Sequence, residues 1–262
     1  MNLERYFERI GYTGDTTPTI DTLKAIHQAH LRHVPFENLN IHIPRPIILD
    51  ETALYEKIVH EQRGGFCFEQ NGLFYAVLET LGYAVQRLEA NVYHADEDDF
   101  GISMNHMCLL VTIDGVRYLA DVGFGASFID PLDLDNRAVQ VQDSGQFKVR
   151  FEGDTGYFYS QPIGDDEMNL AYRFFLEAHD LADYETACQY MQTSPKTHFT
   201  QKRLCSQWMP EGRVTLSENK LISTTWQGAR TEIPISDENH FHQLLADYFS
   251  INIKTRPPHR KP

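Results

Sequence analysis

Near Tyr83 the spacing of apolar residues changes from a helical three-to-four to a strand-like two, and this switch constrains the fold more than any other feature of the chain. Before it, Leu23, Ile26, His27, His30, Leu31 and Val34 recur on one helical face behind Asp21, which reads as an N-cap. A second helix is predicted over Thr52 to His60, and a third from about Cys67 to Leu81, stopped by Gly82. Between the first two, the run Val34 to Leu39 and the prolines Pro44 and Pro46 must be extended or loop, because proline disfavours helix on both sides. After Tyr83, segments 84–93, 106–113, 116–121, 146–151, 156–162 and 168–176 alternate with turn signals such as Asp114-Gly115 and Gly153-Asp154. A helix at 180–193, three or four short strands in 201–234 and an amphipathic helix over 237–249 complete the chain, with a basic, proline-rich tail from Lys254 predicted to be loose. The order predicts an α+β fold in which helices precede a small antiparallel barrel or sandwich, and no fixed period supports a solenoid or propeller.

A chain of 262 residues can hold two or three packed subdomains around a sizeable core. The formal charge of -14 and a pI near 5.2 argue against nucleic acid or an anionic membrane as the main partner. No apolar run approaches the roughly 18 residues of a membrane span, and Met1 to Arg5 lacks the order of a secretory signal, so a cytoplasmic location is expected. Cys67, Cys108, Cys188 and Cys205 form no CxxC pair, which leaves reduced thiols as the expectation rather than zinc or a dithiol centre. Composition carries no oligomer signal.

The sharpest chemical signal is Arg63-Gly64-Gly65-Phe66-Cys67-Phe68-Glu69-Gln70-Asn71-Gly72, where two glycines precede a cysteine that opens a predicted helix. Glycines permit a tight turn, and a thiol at a helix N-terminus meets unpaired N–H groups and the positive end of the dipole, so a lowered Cys67 pKa is expected. A base is offered by His106, at the start of the apolar strand Asn105 to Val111, and an orienting carboxylate by Asp121, which ends the strand before Val122-Gly123-Phe124-Gly125. Singly, a cysteine in an apolar stretch is usually core, a strand-end histidine structural and an Asp before a glycine-rich loop a turn residue. Only their combination carries weight. Cys108, Cys188 and Cys205 read as structural.

These segments, together with Val34-Pro35-Phe36-Glu37-Asn38-Leu39, resemble the arylamine N-acetyltransferases, most strongly over residues 1–130. The resemblance implies an N-terminal helical bundle over 1–82 carrying the cysteine, a central antiparallel β-barrel over 83–178 carrying His106 and Asp121, and a C-terminal α/β lid over 179–262, a cysteine-protease-like arrangement. It further implies ping-pong transfer of an acetyl group from acetyl-coenzyme A through Cys67 to an arylamine, arylhydroxylamine or hydrazine, with acetyl-coenzyme A a co-substrate, no tightly bound cofactor and no metal. Phe36, Val92, Phe124 and, more weakly, Phe199 are the implied walls for a flat amine, and Arg63 with Glu37 an ion pair bracing the nucleophile turn. Gly123 and Gly125 could turn backbone N–H groups to the pyrophosphate, while nothing in the sequence singles out Lys202 or Arg203 for phosphates. Three other readings share these residues: an amide synthase closing a macrolactam from a carrier-bound acyl chain, a papain- or transglutaminase-like amidohydrolase, and a ligand-binding module without turnover.

Overall fold

The structure, a computed structural model, describes residues 1–43, 45–125 and 127–253. Pro44 and the tail from Lys254 therefore lie outside the described residues. Helix α1 (Leu3–Ile10) begins where Asn2 Oδ1 accepts the Arg5 N–H and ends on a left-handed Gly11. Helix α2 (Ile20–His33) is capped by Thr19 and not by the expected Asp21: Thr19 Oγ1 accepts the Thr22 N–H, and Asp21 sits in the first turn, where its charge suits the dipole. The chain then forms the two-residue strand β1 (Phe36–Glu37) and a 3-10 turn over Leu39–His42. Asp50 caps α3 (Glu51–Tyr55), and the segment predicted as one helix to His60 widens into a π turn over Glu56–His60. Helix α4 (Cys67–Thr80) follows, its N-terminal Phe66 N–H bonded to Glu69 Oε2 at 3.1 Å. Every residue from Cys67 to Phe74 is buried, so α4 runs through the interior with packing on all sides.

The strands after Tyr83 form one antiparallel sheet: β2 (Ala84–Val92), β3 (His106–Ile113), β4 (Val116–Ala120), β5 (Leu132–Asp133), β6 (Gln140–Gln142), β7 (Gly145–Glu152), β8 (Thr155–Pro162) and β9 (Asn169–His179). Their spatial order is β5-β4-β3-β2-β9-β8-β7-β6, and the two ends curl toward each other into a nearly closed barrel filled by Leu88, Cys108, Phe128, Phe147, Phe158, Tyr172 and their neighbours. Among the described residues no main-chain ladder joins the ends. Instead Gln142 Oε1 accepts the N–H groups of Ile129 and Asp130, each at 2.9 Å, and Gln140 exchanges two bonds with the backbone of Asp133. Side-chain amides thus stand in for a peptide partner and satisfy an edge that would otherwise be open.

The third layer holds a 3-10 turn over Leu181–Tyr184, helices α5 (Glu185–Thr193) and α6 (His198–Gln201), and strands β10 (Leu204–Met209), β11 (Gly212–Ser217), β12 (Lys220–Thr225) and β13 (Arg230–Pro234). Helix α7 (Glu238–Phe249) lays Phe241, Leu244, Leu245 and Phe249 over Val214, Leu216 and Leu221. This sheet is not built from C-terminal residues alone. Strand β1 pairs antiparallel with β10, Phe36 opposite Ser206 and Glu37 opposite Cys205, so the run after Val34 joins the first layer to the third. All four cysteines are buried and unpaired, and no helix among the described residues is long and apolar enough to cross a membrane.

The turn before α4 runs against β1: Glu37 N–H donates to the Gly65 carbonyl at 3.0 Å and Gly65 N–H to the Pro35 carbonyl at 3.3 Å. A Cβ on Gly64 would lie 1.8 Å from the Pro35 oxygen, a backbone atom with nowhere to move. Gly64→Ala should therefore cost about 2 kcal/mol or more, which for a chain of this size lowers the thermal midpoint by roughly 4–8 °C in a calorimetric scan. An unchanged midpoint would show that the turn relaxes away from β1.

Candidate active site

The fold brings the three sequence candidates to one buried point. Cys67 is the first residue of α4, His106 the first of β3, and Asp121 follows the last residue of β4. His106 Nε2 lies 2.7 Å from Asp121 Oδ2, and since an ionised carboxylate only accepts, Nε2 carries the proton and Nδ1 is left as the free nitrogen. Asp121 also receives Asn71 Nδ2 at 2.8 Å, the Gly123 N–H at 2.9 Å and the Tyr172 hydroxyl at 3.1 Å. Burial by itself would push this carboxyl up, but His106, Asn71 and Gly123 outweigh it and hold the group below its ordinary range.

Asn71 lies four residues after Cys67 and so on the same face of α4. Besides Asp121 it serves both flanking strands, donating to the Met107 carbonyl at 2.7 Å and accepting the Val122 N–H at 3.0 Å. An amide can donate and accept at one place, which a carboxylate or a hydrocarbon cannot. From α2, His27 closes the far side: Nδ1 donates to the Ile129 carbonyl at 2.8 Å, and Nε2 accepts the Asp121 N–H at 3.1 Å. A second buried histidine, His30, takes the Tyr6 hydroxyl at 2.8 Å and reaches Gln70 Oε1 at 3.2 Å. Gln70 in turn donates to the Gly65 carbonyl at 2.8 Å, so this relay supports the glycine turn.

Cys67 departs from expectation. The helix N-terminus was expected to lower its pKa, and the N–H groups of Phe68 and Met107 do act in that direction. Burial, with the charge of Asp121 and the neighbouring Cys188 adding to it, pushes the thiol well above its ordinary value. Desolvation of a lone thiolate outweighs two amide dipoles.

Below the turn, Arg63 Nη2 lies 2.7 Å from Glu37 Oε1, bringing together the two residues named as an ion pair. Sequence reading missed the other half of the cluster: Lys57 Nζ sits 2.6 Å from Glu69 Oε1 and 3.6 Å from Glu37 Oε1. Two cations and two carboxylates are all buried, and the set is neutral, which is what makes their burial tolerable. Nothing in the sequence marks Lys57, since lysine in an amphipathic segment ordinarily reads as a solvated face.

A cavity of about 860 Å³ opens over Cys67 and His106, with Phe36, Val92, Phe124 and Phe199 all in its walls. Its lining also includes Glu97 and Asp99 on the β2–β3 connection, Lys196 before α6 and His198 at the start of α6. Gly125, with φ +40°, also faces the cavity. Gly123 has a different task from the phosphate contact expected of it. Its N–H is taken by Asp121 Oδ1, and a Cβ there would meet Cys67 Cα at 2.7 Å, so it is glycine to let the loop lie against α4. Arg203 is likewise engaged, its guanidinium shared between Glu218 and Glu238 at 2.7 and 2.6 Å.

A helical layer, an antiparallel barrel and a C-terminal α/β layer meeting at a buried cysteine, histidine and aspartate describe an acyltransferase architecture. The chain belongs to the arylamine N-acetyltransferase family: a family model described as N-acetyltransferase matches residues 19–257. It is 34% identical to a pineal gland arylamine N-acetyltransferase isozyme of Gallus gallus over 279 residues, covering 98% of this chain and 96% of that protein. Among solved structures it resembles the arylamine N-acetyltransferase of Salmonella typhimurium, with TM-score 0.89 at 30% identity over 99% of this chain and 94% of that one. It also resembles the Mycobacterium marinum enzyme solved in complex with CoA, with TM-score 0.88 at 32% identity over 96% and 93% of the two chains.

The two buried histidines generate a prediction. Burial pushes His27 down to about 4 and His30 down to about 3, both below the ordinary 6.5 of an unfolded chain. Between these values the unfolded chain binds protons the native one refuses, so stability falls as pH is lowered from about 6.5 toward 4. The loss from pH 7 to pH 5 should be about 2 kcal/mol for each histidine. His30→Gln should shrink the pH 7 to pH 5 difference in urea unfolding free energy by that amount. An unaltered difference would mean that His30 is protonated in place.

Proposed function

We propose that Cys67, His106 and Asp121 form a catalytic triad that carries an acetyl group from acetyl-coenzyme A, through a Cys67 thioester, to the nitrogen of an arylamine, arylhydroxylamine or hydrazine in the cytoplasm. The observation that carries this reading is the 2.7 Å bond from His106 Nε2 to a fully buried carboxylate, which leaves Nδ1 free in the cavity that Cys67 also lines. That the related Mycobacterium marinum enzyme was solved with CoA supports the donor, the net charge of -14 argues against a nucleic-acid partner, and unpaired cysteines suit a reducing compartment.

Because burial disfavours a lone thiolate, Cys67 is activated by its base. As Sγ bonds the thioester carbonyl carbon, its proton passes to His106 Nδ1, and the resulting imidazolium is neutralised by Asp121 in the same low-dielectric site. When the tetrahedral intermediate collapses, the carbon–sulfur bond to coenzyme A breaks and the leaving thiolate takes that proton. In the second half, the acceptor nitrogen attacks the Cys67 thioester, its proton passes to His106, and Sγ departs and recovers a proton from the imidazolium. Phe36, Val92, Phe124 and Phe199 form apolar walls on which a flat amine stacks. Asn71, Tyr172 and His27 act on Asp121 rather than on substrate, and the Arg63–Glu37–Lys57–Glu69 cluster braces the turn that presents Cys67.

Mixing the protein with acetyl-coenzyme A alone and weighing it intact should reveal one acetyl adduct that maps to Cys67, disappears in Cys67→Ala and is discharged by 4-methoxyaniline or hydrazine. Asp121→Asn should slow adduct formation by about a hundredfold or more. No adduct, with Cys67 still alkylated by iodoacetamide, would move the reading to another acyl donor such as a carrier-bound chain. An adduct lost to water as fast as to amine would make the protein a hydrolase.

A further inference from the structure

Helix α6 is tied by its own side-chain hydrogen bonds only to the turn before it and to α5, through Thr200 Oγ1 to the Ser194 carbonyl at 2.7 Å, Gln201 Nε2 to the Pro195 carbonyl at 3.1 Å and Thr197 Oγ1 to the Met191 carbonyl at 3.0 Å. It spans four residues, fewer than a free helix needs, and none of them is fully buried. It nevertheless carries Phe199, whose ring stands 6.2 Å from Phe36 and edge-on to Phe66 at 5.7 Å, making one side of the cavity over Cys67. What ties it across the cavity to the β1 side is Asn38, more than 160 residues earlier in the chain and buried. Asn38 Nδ2 donates to the carbonyls of Phe199 and Lys202, both at 2.9 Å, and Oδ1 accepts the Leu204 N–H at 2.7 Å. Both amide hydrogens and the amide oxygen are thus committed to the one segment that bears Phe199. His42 Nε2, on the turn after β1, donates to the same Phe199 carbonyl at 2.9 Å. Three consecutive residues therefore divide the work: Phe36 is one wall, Glu37 anchors the buried ion cluster, and Asn38 holds the opposing wall.

We infer that Asn38 is a positioning residue that sets the slot between Phe36 and Phe199 and so selects flat aromatic amines over small nucleophiles that need no slot. The inference rests on the reading that these two rings receive the acceptor. Loss of the Nδ2 donations frees α6 to shift, widening the slot for an aryl ring while leaving Cys67, His106 and Asp121 in place. Hydrazine, with no ring to stack, should be indifferent to the width.

The test compares kcat/KM for 4-methoxyaniline with kcat/KM for hydrazine at fixed acetyl-coenzyme A, using the full chain. The ratio is independent of how much protein is folded, so general destabilisation does not move it. Asn38→Ser, which lacks both donations, should lower the aniline-to-hydrazine ratio about tenfold. His42→Ala, on a half-buried turn, should lower it about two- to threefold. Phe199→Ala removes the ring but keeps the carbonyl; in that background neither Asn38→Ser nor His42→Ala should change the ratio further. Equal losses for both acceptors, or an effect that persists in full without the Phe199 ring, would overturn the inference. Should Asn38→Ser give no folded protein, His42→Ala and its pairing with Phe199→Ala decide. A parent chain that acetylates neither acceptor overturns the acetyltransferase reading and this inference with it, whereas active variants with an unmoved ratio overturn the inference alone.

Discussion

The architecture depends on keeping one carboxylate ionised where no water reaches it. Asp121 is 0% exposed, and an unpaired charge there would protonate rather than persist. Four donors prevent that: an imidazole from β3, an amide from α4, a hydroxyl from β9 and a main-chain N–H from its own loop. They come from separate stretches of chain, so the carboxylate is satisfied only when helices and barrel have both assembled. His27 ties the backbone of the same residue to α2. Asp121 is thus a joint between layers as well as the group that fixes the tautomer of His106.

A second buried electrostatic unit lies under the nucleophile turn. The Glu37–Arg63–Lys57–Glu69 set is neutral as a whole and fails as parts, because removal of any one member strands a charge in the core. Its members come from β1, the π turn, the glycine turn and α4, and Glu69 also caps α4 through the Phe66 N–H. The cluster therefore fixes the direction from which Cys67 enters the cavity. The π turn itself sits where Lys57 is held inward, which is where a regular helix was expected and did not form.

These constraints account for the corrections as well. A helix N-terminus lowers a thiol pKa, and the N–H groups of Phe68 and Met107 do so for Cys67. Burial of Cys67 acts the other way and outweighs the amide dipoles, which makes His106 the natural acceptor of its proton. Gly123 was read as a phosphate contact because glycines free backbone N–H groups, yet its N–H is consumed by Asp121 and its missing Cβ makes room for α4. In each case the residue's surroundings in the fold, and not its type, decide its use.

Local chemistry in the sequence determined a good deal. Periodicity marked α2, α7 and the long strands, because each buries a face whose spacing is written in consecutive residues, and the Gly82 stop bounded α4, which is buried all round. The glycine pair before Cys67, the strand-end His106 and the strand-end Asp121 marked the candidate triad, because each type is unusual in its local setting. The short strands β1, β5 and β6 and helix α6 carry too few residues to show a period: β1 rests on the remote Ser206 and Cys205 and α6 on the remote Asn38, while β5 and β6 form by pairing with their neighbours β4 and β7. Lys57, Glu69, Tyr172 and His27 look like ordinary surface or core positions one at a time. Only the tertiary structure brings them to a buried charge or to the glycine turn, since burial and pairing are properties of where distant segments meet and not of any stretch of chain.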